Sequence, residues 1–586
     1  NGYYRWLNID ERELYQAMRD ATRRKDSVAY NKLYALVSKK KLIVPNYIYK
    51  NNGNFTFSNE IDGWGCNLPS ITHGAALADL DMDGDMDMVT SVTESTTIVY
   101  RNNLEKMDKN NYIRFSMVGT DKNINAIGAK IYIYTKSGMQ MIQHHVIRGY
   151  QSSSENIAHF GLAKDDTVYK VIIIWPDQKT QVLTNLMANQ VVKLDHKNAI
   201  NEKIEIHGKY TPLFADATDK IGVGYKHVEN EYEDFKKELL LPHKMSRFGP
   251  GLAVADVNGD GLEDFFVSGA VRAPGELFLQ TAGKTFTKAS SQPWSNDKAT
   301  EQLGVLFFDA DGDADADLYM ATGGGEFSPE DPLLADLLYM NDGKGNFTKN
   351  TKALPDMRVS GSCAVAGDYD NDGDLDLFVG GRVVPTKYPM PAKSAILRND
   401  KGVFTDVTKE VAPELEKGGL VCGAIWTDYN ADNKLDLMII GEWMPVTVYK
   451  NDGGKFSDAT AAAGLADATG WWNSIVSGDF DNDGDVDYVA GNEGLNSRYY
   501  QPTKEQPVEL HSADFDKNGT NDIVLSVYNY GKSYPVKTRM TMTEQIPMIG
   551  DKFKLYKTFA LATTEEVFGK EALEAATRYT ATTLAS

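Results

Sequence analysis

Cysteine is scarce. The three in 586 residues, Cys66, Cys363 and Cys422, stand far apart with no CxxC pair. Neither a disulfide framework nor a zinc site is signalled, and the three read as small buried hydrophobes. No apolar run reaches about eighteen residues, so the chain offers no candidate transmembrane helix. The strings G-x-S-x-G, H-E-x-x-H and the P-loop are also missing, which removes the commoner nucleophile, zincin and nucleotide signatures. Glycosidases and polysaccharide lyases stay open, because they need only a few dispersed acids, bases or tyrosines. Basic residues are in deficit: 61 Lys and Arg against 82 Asp and Glu give a net charge of −21. Such a chain is a poor partner for nucleic acid. The first residue is Asn1 with no signal-type segment behind it, so the chain reads as a processed or truncated piece whose export route is not legible.

What is present is ample apolar content, 42% hydrophobic and 10% aromatic, in a length that calls for about three to four units. From 10 to 41 the spacing of Leu14, Met18, Tyr30, Leu33 and Leu36 predicts a helical lead-in. Short apolar runs separated by Gly, Asn and Asp follow, the all-β signature. At 563–585 the pattern returns to helix, with Thr563 or Thr564 as cap.

Self-similarity decides the architecture. The pattern D-x-[DN]-x-[DN]-x-x-x-D begins at Asp79, Asp256, Asp309, Asp368, Asp428, Asp479 and Asp514, each copy between two apolar runs such as "GVLFF" and "DLYMATG". A second string, N-D/N-x-G-x-F after an aromatic or aliphatic residue, reads as a hairpin turn at 49–55, 339–347, 397–404 and 449–456. From Asp256 to Asp479 the loops start 53, 59, 60 and 51 residues apart, one four-stranded blade per repeat. The next interval is 35, a shortened blade, and the first is 177, which leaves room for an intervening domain. The expected fold is mainly β: a β-propeller with a small intervening β-domain and short helical segments at both ends. The expected units are 1–46 helical lead-in, 47–106 terminal blade of a truncated propeller, 107–205 β-domain, 206–545 propeller and 546–586 helical tail. No further loop follows Tyr530, so closure of the propeller is left open.

The loops carry the chemistry. Positions 1, 3, 5 and 9 supply side-chain oxygens: Asp79, Asp81, Asp83 and Asp87; Asp256, Asn258, Asp260 and Asp264; Asp309, Asp311, Asp313 and Asp317; Asp368, Asp370, Asp372 and Asp376. The last three sets are Asp428, Asn430, Asp432 and Asp436; Asp479, Asp481, Asp483 and Asp487; Asp514, Asp516, Asn518 and Asp522. Position 7, such as Asp85, Asp374 and Asp485, would add a carbonyl, and Gly at position 6 permits the sharp turn. An all-oxygen set without His or Cys selects a hard cation, and calcium fits it. Thirty of the 82 acids lie in these loops, and seven divalent ions would bring the charge to about −7. An EF-hand would need Glu at position 12, where Thr90, Val267, Met320, Val379, Ile439, Ala490 and Leu525 stand. Ala314 and Asn433 replace the expected glycine in two loops, which should bind more weakly.

These strand-loop-strand units resemble the FG-GAP/VCBS repeats of integrin α-subunit propellers and bacterial surface proteins, over 47–103 and 214–530. The segment 110–194, with "NAIGAKIYIYTKSG", "GYQSSSENIAHFGLAKDD" and "VIIIWPDQKTQVL", is similar to the ASPIC/UnbV domain of the cartilage acidic protein family. The resemblance implies an extracellular or outer-surface setting, where millimolar calcium would fill up to seven sites.

Outside the loops, Tyr388, Trp443, Trp471, Trp472 and Tyr499 lie beside Gly and Pro turns. They are candidates for stacking on a sugar or anchoring a protein; the competing reading packs Trp471 and Trp472 between blades. His243, Lys244 and Arg247 form a second candidate group. The expected function is a calcium-stabilised surface protein that binds a protein or glycan at the cell surface without catalysis. The alternative is a polysaccharide lyase or glycosidase built on the same scaffold.

Overall fold

The computed structural model describes residues 9–38, 44–93, 95–107, 110–204, 206, 212–499 and 501–585, which fall into two compact units, 1–214 and 215–586.

In the first unit two helices, Ile9–Arg23 and Ser27–Ser38, occupy the lead-in; the predicted helix beyond residue 38 lies outside the described residues. A three-stranded sheet, Thr72–Ala78, Asp87–Val92 and Ile98–Tyr100, holds the first aspartate loop. Residues 111–195 then build two sheets, one of four strands and one of three. In the second of these, Gln190–Asp195 runs parallel to Asn111–Val118. The alternation in "KIYIYT" that predicts a strand appears as Lys130–Thr135, with Ile131 and Ile133 fully buried. They join Ile113, Phe115, Phe160, Val171 and Trp175 in one core.

The second unit repeats one antiparallel meander. Its first sheet is Leu252–Ala255, Asp264–Val267, Glu276–Gln280 and Phe286–Lys288, in that order. The same order recurs over 302–349, 361–406 and 420–458, while 474–491 contributes two strands. In every sheet the aspartate loop joins the first strand to the second. Sequence periodicity accounts for the arrangement. The second strands Asp317–Thr322, Asp376–Gly381 and Asp436–Met444 are buried at every residue, as near-continuous apolar runs must be when a neighbouring sheet covers each face. The first strands of successive sheets lie against each other and are rich in small residues. A Cβ on Gly304 would stand 2.8 Å from the Cα of Cys363, so the close approach requires glycine there. Between sheets, Trp294 meets Phe266 and Tyr339 edge-on at 5.1 and 5.7 Å. Burial of each such ring contributes roughly 2 kcal/mol or more.

The carboxyl-terminal segment corrects the expectation of one helix over 563–585. Thr563 does cap Thr564–Phe568, in a capping box with Glu566, but Gly569 at φ +87° ends that helix. A second, Lys570–Ala575, follows, and the threonine-rich Thr577–Ala581 is a strand. It pairs antiparallel with Val508–Ala513 and completes a four-stranded sheet with Asp522–Asn529 and Lys532–Pro535. Val567, Phe568, Ala581 and Leu584 are buried in the largest core cluster, so the segment is a working part of the unit. The β-branched residues, poor in a helix interior and favoured on a pleated surface, explain the outcome.

Candidate metal loops and a basic cavity

The seven loops share one backbone design. Positions 4 and 6 are both left-handed in each: 59° and 98° at Met82 and Gly84, 60° and 97° at Asn371 and Gly373, 82° and 69° at Gly312 and Ala314. Ala314 and Asn433, at φ 69° and 63°, adopt the conformation that glycine takes elsewhere. The position-6 amide donates to the position-1 carboxylate throughout, from 2.7 Å at Gly261 to 3.2 Å at Gly84 and Gly484. The position-9 carboxylate accepts from the position-2 amide, as Asp317 does from Ala310 at 3.0 Å and Asp522 from Phe515 at 3.0 Å. Positions 1 and 9 thus shape the loop, the position-5 side chain accepts from the position-7 amide, and position 3 has less local work.

Carboxylates converge in five loops. Asp79, Asp81 and Asp83; Asp309, Asp311 and Asp317; Asp368, Asp370 and Asp376; Asp479, Asp481 and Asp483; and Asp514, Asp516 and Asp522 each bring three oxygens within 4.8 Å of one another. One oxygen of Asp370 is buried without a hydrogen-bond partner. Burial, followed by the charges of their neighbours, raises the carboxyl of Asp370, and burial pushes Asp317 and Asp376 up to about 7. Like charges this close call for a cation, and the residues present fit a hard one. The loops at Asp256 and Asp428 carry Asn258 and Asn430 at position 3; Asn430 donates instead to Asp436 at 3.2 Å.

The first loop differs. Arg114, 6% exposed, donates to Asp79 at 2.7 Å and to Glu155 at 2.6 Å. Arg101 reaches Asp81 at 2.7 Å and Asp83 at 3.3 Å. Three of the four expected ligands there already face guanidinium groups.

The hairpin string has a role that its turn signature did not disclose. Asn399 donates its Nδ2 to the carbonyl of Ala310, in the loop of the preceding sheet, at 2.9 Å, and its backbone amide donates to Asp376 at 2.8 Å. Asn341 and Asn451 repeat this on Val257 and Tyr369, both at 2.8 Å. Each asparagine therefore ties the position-9 aspartate of one sheet to the loop of the sheet before it.

All five aromatic candidates are buried, with Tyr388 and Trp471 at 1% and 4% exposure, and packing within the unit accounts for them. Trp471 and Tyr499 also line an open cavity of about 720 Å³ together with His243, Lys244, Arg247 and Arg498. At its floor Glu442 accepts from Arg382, from Tyr388 at 2.8 Å and, on the oxygen it shares with Arg382, pairs with His243 at 2.8 Å. Trp443 donates to the Tyr388 hydroxyl at 2.7 Å. Burial alone would raise Glu442, but the Arg382 and His243 charges hold it down at about 2. Burial likewise opposes the charge of His243, and Glu442 outweighs it and raises the imidazole. Glu442 was detectable as the one charge beyond the loop aspartate Asp436 in the buried run "DLMIIGEWM", since a charge there needs a partner. Arg382 lies 60 residues away, beyond what a pattern of residues reveals.

The family model described as FG-GAP-like repeat matches residues 256–320, 331–379 and 428–490, and that for ASPIC and UnbV matches 119–201. The chain thus carries FG-GAP-like repeats and a segment that matches the ASPIC and UnbV model. It is similar to cartilage acidic protein 1 of Xenopus tropicalis, 22% identical over 66% of this chain and 60% of that protein. It is also similar to cartilage acidic protein 1 of Homo sapiens, 36% identical over 27% of this chain and 22% of that one. The chain thus spans less than two thirds of these relatives. A fucose-specific lectin from Aleuria aurantia aligns at TM-score 0.22 and 8% identity, over 65% of this chain and 87% of the lectin, a likeness too low to bear on function. Among the described residues no helix is long and apolar enough to cross a membrane.

Proposed function

We propose that this is an extracellular calcium-binding repeat protein whose loops are held by the ion and whose second unit binds a protein or glycan partner without catalysis. The observation that carries the reading is the convergence of three carboxylate oxygens within 4.8 Å in loop after loop, in an all-oxygen setting that hard divalent cations favour. Asp309, Asp368, Asp479 and Asp514 begin the loops best fitted to hold calcium; the loop at Asp79 is the least fitted, because Arg101 and Arg114 share its carboxylates. In the four better-fitted loops calcium would neutralise the carboxylates and fix the hairpin between first and second strands. Relatives named as cartilage acidic proteins and the FG-GAP repeats support the extracellular setting. The pairing of both Glu442 oxygens favours binding over acid catalysis at the cavity, since a carboxylate so held does not carry a proton near neutral pH.

The test is a screen of immobilised glycans and extracellular proteins in millimolar calcium and again in EGTA. Calcium-dependent capture supports the reading, and turnover of a polysaccharide in the same samples would transfer the assignment to the enzyme alternative.

A further inference from the structure

In a chain of charge −21, one cavity is lined mainly by basic groups. His243, Lys244, Arg247, Arg382 and Arg498 all line the cavity described above, against two carboxylates, Glu442 and Glu493. Glu442 is consumed by Arg382 and His243, Lys244 is paired with Glu233 at 3.0 Å, and Glu493 is exposed. Arg247 has neither an ion pair nor a hydrogen bond among the described residues, and Arg498 has only the Tyr499 hydroxyl at 3.2 Å and its ring at 5.2 Å. The field of Arg498 also depresses Lys537, after burial. Cations that repel one another without a counter-charge mark a site for an anion, and guanidinium groups match a carboxylate in two-point fashion.

The rest of the wall narrows the class. Trp471 and Tyr499 meet edge-on at 5.1 Å, and the indole N–H of Trp471 is buried without a partner. The Asn473 side chain adds an amide. Aromatic edges beside the indole N–H and guanidinium donors suit a ring bearing hydroxyl groups and an acid, and about 720 Å³ falls within the usual range for small-ligand sites.

We propose that this cavity binds an acidic saccharide, with the carboxylate of a uronic acid held by Arg247 and Arg498 and the sugar against Trp471 and Tyr499. The inference deepens the partner-binding reading and rests on it. Its test is calorimetric titration of the full chain in calcium with a uronic-acid trisaccharide, its carboxyl-reduced neutral counterpart and citrate. Arg247 and Arg498 are exposed, so the double variant R247Q/R498Q keeps the core, and its melting temperature is the control for folding. The trisaccharide should bind, the neutral sugar at least tenfold more weakly, and the double variant at least tenfold more weakly at an unchanged melting temperature. Equal binding of neutral and acidic sugars, citrate binding as tightly as the trisaccharide, or an indifferent double variant would each overturn it. If the glycan and protein screen succeeds while the double variant binds the trisaccharide like the parent, this inference fails and the broader reading stands; silence in both sinks the two together.

Discussion

The side-chain amide of Asn399 donates to the carbonyl of Ala310 at 2.9 Å, across to the loop of the preceding sheet and 89 residues back in the chain. The same Nδ2 serves Leu375 at 3.0 Å. One buried residue thus couples two aspartate loops. N399A removes both bonds and leaves two carbonyls without donors, so it should lower stability by about 2–4 kcal/mol, read from the urea midpoint. A change within about 0.5 kcal/mol would mean that the sheets are joined by apolar packing alone.

Ala314 holds φ 69° at a loop position occupied by glycine at Gly84, Gly373 and Gly484. A314G should therefore stabilise the protein by about 1 kcal/mol, against the usual loss from added chain entropy, because a Cβ in the left-handed region is strained. The melting temperature in calcium checks it, and a fall would show that Ala314 carries no strain.

Arg114 is the buried one of the two arginines on the first loop. R114M leaves Asp79 and Glu155, which are 1% and 17% exposed at their side chains, without their shared partner, and should cost about 3–5 kcal/mol in the first unit. D79N in the same loop should leave the number of calcium ions bound unchanged. A lost ion in D79N would restore this loop to the calcium set.

Acid and base should both weaken the floor of the cavity. Glu442 is depressed from 4.5 to about 2, so its contribution is present above about pH 4.5 and is lost as pH falls toward 2. His243 is raised above 6.5, so its contribution is complete below that value and is lost as pH rises through the folded pKa. E442Q should remove the acid-side loss due to Glu442 and the base-side loss due to His243, whose imidazole burial and Arg382 would then lower, and destabilise by about 3–5 kcal/mol, because Arg382 stays buried without its counter-charge. Unfolding curves from pH 3 to 9 read both effects. A parent and variant that track each other across that range would contradict the pairing.

The loops were legible because their aspartate spacing is local: nine consecutive residues set the shared turn, and repetition made chance turns a poor explanation. The β class followed from the same repeats. The cross-sheet role of Asn399 was not legible, since a hairpin asparagine looks the same whether or not its amide reaches another sheet. Nor was the last strand, where only Ala576 separates the helix-forming "KEALEA" from Thr577. The arginines of the first loop escaped for a similar reason. Arg101 and Arg114 lie 20 and 35 residues from the aspartates they meet, and a pattern built on acids alone does not register them. Of the aromatic candidates, Trp471 and Tyr499 line the cavity, while burial gives all five to the core and leaves charged residues at its mouth.

Calcium uptake by chelator-treated protein is the most direct measurement. Calorimetric titration, with a melting curve at each end point, should show several ions bound at millimolar calcium or below and a stability gain of about 2.7 kcal/mol for each independent site at a hundredfold excess over its Kd. No heat and an unchanged melting temperature at millimolar calcium would contradict the central claim that the aspartate loops are built around a hard cation.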